Sequence, residues 1–531
     1  MKILLFGLNS VISVHEPENV SFMRYGRHFL SSLIILFSIY FLVSPCLGQL
    51  SWQQEVDAVL PDVLQRHREI VAMPNVAANH EDMLRNAAYM EKAFGDLGFS
   101  ISLLESTSLP VFLAEKEIDP SLKTLLFYFH LDGQPVNPEK WTQDDPFVPV
   151  LRKRDGKGGW EDLSWDALNE SIDPEWRIFG RAAADDKGPI TMMLTALELM
   201  ASKGKTLPYN MKVILDLQEE AGSHAFMSTI EDYKTNYAAD YMIIMDGPAH
   251  YTNVPTLTFG CRGIARCDIT VYGAKLPQHS GHFGNYAPNP VFRMAHLLAS
   301  MKNEYGTVVI DGFYDGIELD AETRAVLEAI PDKNIEINNQ LVIHTPDKVG
   351  ETYQESLQFP SLNVRHIETS WKGPGLKTVI PEYCTAHIDV RLVKETDGTE
   401  QIEKVKKHIE KEGFLVLDRE PTDEERLNYS LIATFHGNGG VNAFRTETDS
   451  PLGMKLQTAI GKEYKEDMVL IRTMGGTIPI IPAVNALDIP AVIVPMVNMD
   501  NNQHAPNENI RIGNMIDGIH ICLAILNMDL D

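Results

Sequence analysis

The stretch Leu125-Leu126-Phe127-Tyr128-Phe129-His130-Leu131-Asp132 decides the fold. Five consecutive apolar residues bounded by polar ones are the pattern of a short strand buried on both faces, as in a parallel sheet covered by helices. The run stops at a histidine, and Asp132, two residues on, is placed to accept the second ring N–H and fix the imidazole tautomer. Two further apolar runs behave alike. Residues 211–217 end in Gln218-Glu219-Glu220, and residues 241–245 end in Asp246-Gly247-Pro248. Helical spacing of apolar positions marks 53–70, 81–97, 190–201, 452–460 and 514–528, while 468–472 and 491–497 read as strands. Strands alternating with helices predict an α/β fold with a mostly parallel, doubly wound sheet. In such sheets ligands bind outside the carboxyl ends of the strands, which is where His130, Glu219, Glu220 and Asp246 fall.

A second stretch supplies another acid. Gly180-Arg181-Ala182-Ala183-Ala184-Asp185-Asp186-Lys187-Gly188-Pro189 is a turn of small residues carrying two adjacent carboxylates into an apolar helix. Acids that close repel, and a divalent cation relieves the repulsion better than Lys187 alone. Before it, residues 141–176 are polar, with a Gly-rich charged tract, and read as an excursion over the surface. After Cys261 the pattern changes. Residues 264–272 alternate like a half-exposed antiparallel strand, 290–302 and 399–412 are helical, 321–329 is a weak helix, and 384–393 and 431–435 are strand-like. That predicts a smaller α/β insert at 263–446 between two catalytic segments, 49–262 and 447–531.

At 531 residues the chain is long enough for two domains. Its formal net charge of −27 argues against a nucleic-acid partner, because a phosphate backbone would be repelled over most of the surface. Residues 29–43 are almost wholly apolar, follow Arg24, Arg27 and His28, and precede Pro45-Cys46-Leu47-Gly48. The pattern is that of a signal peptide over 1–48, with Met23 a possible true start. It predicts export to a periplasm or secretion, with no membrane attachment after cleavage; an uncleaved anchor is the alternative. The five cysteines form no CxxC pair. Cys261 and Cys267, about 20 Å apart along an extended chain, read as buried thiols.

Collected from the strand ends and loops, His130, Asp185, Glu220, Asp246 and His504 make two imidazoles and three carboxylates. That set suits zinc or manganese better than calcium. Five ligands exceed what one tetrahedral ion needs, so two ions sharing one carboxylate is the economical reading, with Glu219 left to move a proton. Paired ions acidify water and polarise a carbonyl, which is the chemistry of amide hydrolysis. No HExxH, GxSxG or Walker A sequence competes with this reading.

These blocks, together with Gln278-His279-Ser280-Gly281, Arg391-Leu392-Val393, Gly475-Gly476-Thr477-Ile478-Pro479 and His504-Ala505-Pro506-Asn507-Glu508, resemble the M20 family of metallopeptidases, closest to its carnosinase-like dipeptidase branch. The resemblance covers essentially all of the chain after the N-terminal segment. It implies that His130 and Asp246 bind one Zn2+ or Mn2+, Glu220 and His504 the other, and that Asp185 bridges them. It further implies Glu219 as general base, Asp132 as the partner orienting His130, and the insert as a dimerisation or lid domain. His279 would reach the site of a second copy in a homodimer. Arg391 with Gly475, Gly476 and Thr477 would hold the terminal carboxylate of a small peptide. The implied reaction is hydrolysis of dipeptides or short peptides beside that carboxylate. The alternatives are an N-acyl-amino-acid deacylase using the same residues and a catalytically silent binding protein of the same fold.

Three positions depart from the pattern or stay outside it. Ala182 stands where the family has Gly, which forbids a positive φ at low cost. Residues 155–176 look like an insertion near the site entrance. Glu508, read as a cap or supporting acid, is left out of the metal shell.

Overall fold

A computed structural model describes residues 51–371, 378–465 and 468–531 of the chain. The signal peptide expected over 1–48 lies outside the described residues.

Strands β1 (Ser100–Leu104), β2 (Val111–Lys116), β3 (Thr124–His130), β4 (Asn210–Asp216), β5 (Tyr241–Ile244) and β6 (Thr256–Thr258) precede the insert. Strands β7 (Gly263–Tyr272), β8 (Ser361–Thr369), β9 (Tyr383–Leu392), β10 (Leu415–Leu417) and β11 (Ile432–Val441) lie within it, and β12 (Val469–Ile471) and β13 (Ala491–Ile493) follow. The large sheet has the order β1-β2-β4-β3-β5-β13-β6-β12. Its centre, β4-β3-β5-β13, is parallel, and β1 and β2 add an antiparallel edge. Alternation along β3 explains the continuous apolar run. Leu125, Phe127 and Phe129 enter one buried cluster with helices Gln53–Val71, Lys187–Ser202 and Ile512–Leu526, while Leu126 and Tyr128 enter another on the opposite face. With both faces covered, no polar position is tolerated until the strand leaves the core at His130.

The second sheet, β8-β9-β7-β11-β10, has its own core. Ala265, Cys267, Ile269 and Val271 of β7 pack with Ala386, Ile388 and Val390 of β9 against helices Pro290–Met301 and Gly398–Lys411. Three of its pairings are antiparallel, whereas β10 runs parallel to β11. Strand β11 extends past residue 435 because His436, Gly437 and Asn438 continue the ladder and Val441 rejoins it after a bulge, a half that apolar patterning does not reveal. Cys261, Cys267, Cys384 and Cys522 are buried free thiols.

Residues 141–176 are more than a surface excursion. Val150–Arg154 and Trp160–Leu163 join Arg177–Phe179 and Asn509–Arg511 in a four-stranded antiparallel sheet. Its alternation is hidden because charged side chains lie over aromatic rings, Arg154 on Trp160 and Arg152 on Phe179. This sheet brings the turn after Phe179 beside residues 504–508, with Gly180 N–H donating to the Glu508 carbonyl at 3.0 Å.

Candidate active site

Each chemical residue stands where a core element ends. His130 closes β3, Glu219 and Glu220 open the turn Glu219–Ala221 after β4, and Asp246 follows β5 by two residues. Asp185 precedes helix Lys187–Ser202, and His504 lies in the loop after β13. Asp185 is the common element. Its Oδ1 is 2.8 Å from His130 Nε2, and its Oδ2 is 3.2 Å from His504 Nε2. Asp246 Oδ1 is 3.9 Å from His130 Nε2, and Glu220 Oε2 is 3.2 Å from His504 Nε2. Two ligand groups result, His130 with Asp185 and Asp246, and Asp185 with Glu220 and His504, the donor atoms of each group within 4.8 Å of one another.

The electrostatics show what the cluster lacks. Burial, reinforced by neighbouring carboxylates, raises Glu219 to about 9, Glu220 to about 7 and Asp246 to about 6. Burial works on Asp185 too, yet hydrogen bonds with His130 and His504 hold it below the usual carboxylate range. Burial lowers His130, and its contacts with Asp132 and Asp185 more than reverse this. Lys187 gives no relief: its ammonium donates to the carbonyl oxygens of Ile70 at 2.9 Å and Met73 at 2.6 Å. Four carboxylates and two imidazoles converging without a lysine among them fit a pair of divalent cations, by donor chemistry and by charge.

Asp132 acts differently from the expectation. The atom within hydrogen-bond distance of His130 Nδ1 is its carbonyl oxygen at 3.0 Å, with the carboxylate at 3.6 Å. The carboxylate instead accepts the backbone N–H groups of Glu219 at 2.9 Å and Glu220 at 3.1 Å. One buried residue thus orients the ring by its backbone and the two glutamates by its side chain. Gln134, unassigned from sequence although it lies in the same block, donates Nε2 to Glu220 Oε2 at 2.7 Å.

Ala182 adopts φ +63°, the conformation its side chain disfavours. Glu508 accounts for it. This buried carboxylate accepts from Ala182, Ala184 and Asp185 N–H at 2.9 to 3.0 Å and from Arg181 Nη1 at 2.7 Å, so the turn is wrapped around an anion. A side chain four residues after His504 therefore braces the loop that presents Asp185.

A cavity of about 890 Å³ opens on this cluster. Asp185, Glu219, Glu220, Asp246, Gln134 and His504 line one part, and Gly475, Gly476 and Thr477 line another. Arg391 stands behind Thr477, donating Nη1 to its hydroxyl at 2.8 Å, while that hydroxyl donates to the Arg262 carbonyl at 2.6 Å. Arg262 was not singled out from sequence. It is buried, and burial together with the charge of Arg391 lowers it to about 10; two guanidinium groups lie behind this end, and neither lines the cavity. Residues 155–176 do not line the cavity, contrary to an insertion at its entrance; they belong to the four-stranded sheet and its approaches. His279 is exposed, also outside the cavity lining, with its ring 4.8 Å from that of His282.

Comparison with known proteins places the chain in a family. The profile of peptidase family M20/M25/M40 matches residues 126–528. Beta-Ala-His dipeptidase from Homo sapiens is 27% identical over 433 residues, covering 78% of this chain and 76% of that protein. Cys-Gly metallodipeptidase dug1 from Schizosaccharomyces pombe is 27% identical over 482 residues, covering 89% and 93%. The M20 family metallo-carboxypeptidase Sso-CP2 from Sulfolobus solfataricus superposes with a TM-score of 0.68 at 26% identity, covering 88% of this chain and 99% of its own. A profile match over most of the chain, with a superposition that covers most of both chains, leads to one assignment: the chain belongs to peptidase family M20/M25/M40.

Proposed function

We propose that the protein is a dinuclear metal-dependent dipeptidase that cleaves the amide bond beside a free C-terminal carboxylate. The observation that carries this is Asp185, whose two oxygens each face a different imidazole, with one further carboxylate beside each. His130 and Asp246 would hold one Zn2+ or Mn2+, Glu220 and His504 the other, and Asp185 both. Bound there, such ions acidify water and polarise the scissile carbonyl. Glu219 lines the cavity beside these ligands, where it would take a proton from the attacking water and deliver it to the leaving amine. Asp132 fixes the backbone of Glu219 and the ring of His130, so the base and a ligand are placed by one buried residue. Gly475, Gly476 and Thr477 line the end that would take the substrate carboxylate, with Arg391 behind Thr477 supplying positive charge.

We also read the chain as an exported homodimer in which His279 of one copy serves the cavity of the other. Its exposure, away from its own cavity, supports this.

The test is turnover of a dipeptide panel against N-acetyl amino acids by protein stripped with chelator and reloaded with Zn2+ or Mn2+. Hydrolysis of dipeptides only after reloading is expected. Turnover of the acyl amino acids alone would make the protein a deacylase, and full activity without metal would overturn the dinuclear reading.

A further inference from the structure

We propose that Leu357 and Met474 select an apolar side chain on the residue that bears the substrate's free carboxylate. The inference rests on the reading in which Arg391 and residues 475–477 hold that carboxylate. If they do, the side chain of the same residue lies within one residue's reach of that turn, where the apolar Leu357 and Met474 touch the two glycines.

Leu357 is buried and packs on the turn: a methyl group added to Gly475 would sit 3.4 Å from its Cδ2. One added to Gly476 would sit 3.2 Å from Met474 Cε. Both side chains line the cavity, with Tyr353 and Ile478 beside them in its wall. The wall is held in place from behind. Gln358 accepts from Arg472 Nη1 at 2.7 Å, and the Phe359 carbonyl accepts from Arg262 Nη2 at 2.7 Å, all three side chains or their donors being buried. The Arg391 and Arg262 guanidinium groups are thus turned to Thr477 and to the chain behind Leu357, while Leu357 and Met474 line the cavity itself. An apolar surface held before binding discriminates by the area that the ligand removes from water, and polar or missing side chains forfeit that gain.

The experiment holds the first residue constant. With metal-loaded enzyme, kcat/KM is measured for Gly-Leu, Gly-Met, Gly-Gly and Gly-Asp, then repeated with Leu357→Ser and Met474→Ser. Gly-Leu and Gly-Met are expected to exceed Gly-Gly and Gly-Asp by about tenfold or more, expressed mainly in KM. Each variant is expected to reduce the Gly-Leu to Gly-Gly ratio several-fold. A ratio taken on one preparation does not depend on how much of it is folded, so partial misfolding of a variant leaves the result readable. Gly-Gly or Gly-Asp turned over as fast as Gly-Leu, or ratios unchanged in both variants, would overturn the selection while leaving the dipeptidase reading intact. No turnover of any of the four peptides would remove the reading beneath it as well.

Discussion

In the proposed reaction, Glu219 is the residue that moves the proton. Glu219→Gln keeps its shape and the backbone N–H bond to Asp132 but cannot take a proton, so kcat is expected to fall by about 10²- to 10⁴-fold. Calorimetric titration with Zn2+ should still find two sites. Glu508 predicts the converse pattern, since it meets no reacting atom. Glu508→Gln places an amide among three N–H groups and the Arg181 guanidinium, and is expected to cost about 2–4 kcal/mol in denaturant unfolding. By loosening the Asp185 turn it should also weaken metal binding about 10- to 100-fold, read by competition with a chelator. Ala182 makes a third case. Glycine there would relieve about 1 kcal/mol of left-handed strain but remove a buried methyl of similar value and add unfolded-state entropy. Ala182→Gly is therefore expected to shift the melting temperature by only a few degrees, which explains how alanine occupies this turn.

At the scale of elements, the contact between helices Gln53–Val71 and Lys187–Ser202 carries a pH dependence. His67 is fully buried between them, with Nδ1 3.0 Å from Thr191 Oγ1, and burial lowers it to about 3. The folded state holds it neutral, whereas the unfolded chain protonates it below about pH 6.5. Its contribution is thus complete above that pH and is lost as pH falls toward 3. Between pH 7 and pH 4.5 this one group should remove about 2 to 3 kcal/mol of stability. His67→Gln is expected to narrow the gap between urea midpoints at those two pH values; an unchanged gap would show that other groups govern the acid limb.

For the whole molecule, the clustered acids make folding and metal loading interdependent. Ions that bind only the folded chain stabilise it by mass action, so chelation is expected to lower the melting temperature and Zn2+ or Mn2+ to restore it, with a concentration dependence that follows the affinity. The homodimer reading makes a separate prediction. If His279 acts across copies, mixing His279→Ala with Glu219→Gln and allowing subunits to exchange should recover part of the wild-type activity, because one of the two sites in each mixed dimer is complete. Two proteins that stay inactive together would place the action of His279 within its own copy and overturn the exchange across copies.

Much of this architecture can be read from local pattern. The apolar runs of β3, β4 and β5 must be buried on both faces, and a chain leaving such a core must set its first polar residues at the sheet's edge. His130, Glu219, Glu220 and Asp246 follow from that alone, because burial acts on side chains a few residues apart. What local pattern could not show depends on chain segments meeting across hundreds of residues. Glu508 beneath the Ala182 turn, Arg262 behind Thr477 and Leu357 against Gly475 are such pairs, and neither partner's neighbours announce the other. The carbonyl of Asp132 lies closer to His130 Nδ1 than its carboxylate does, at 3.0 against 3.6 Å, because the carboxylate is drawn to the N–H groups opening the next turn. Long-range hydrogen bonding and close packing decide those contacts, and only the folded chain brings their partners into reach.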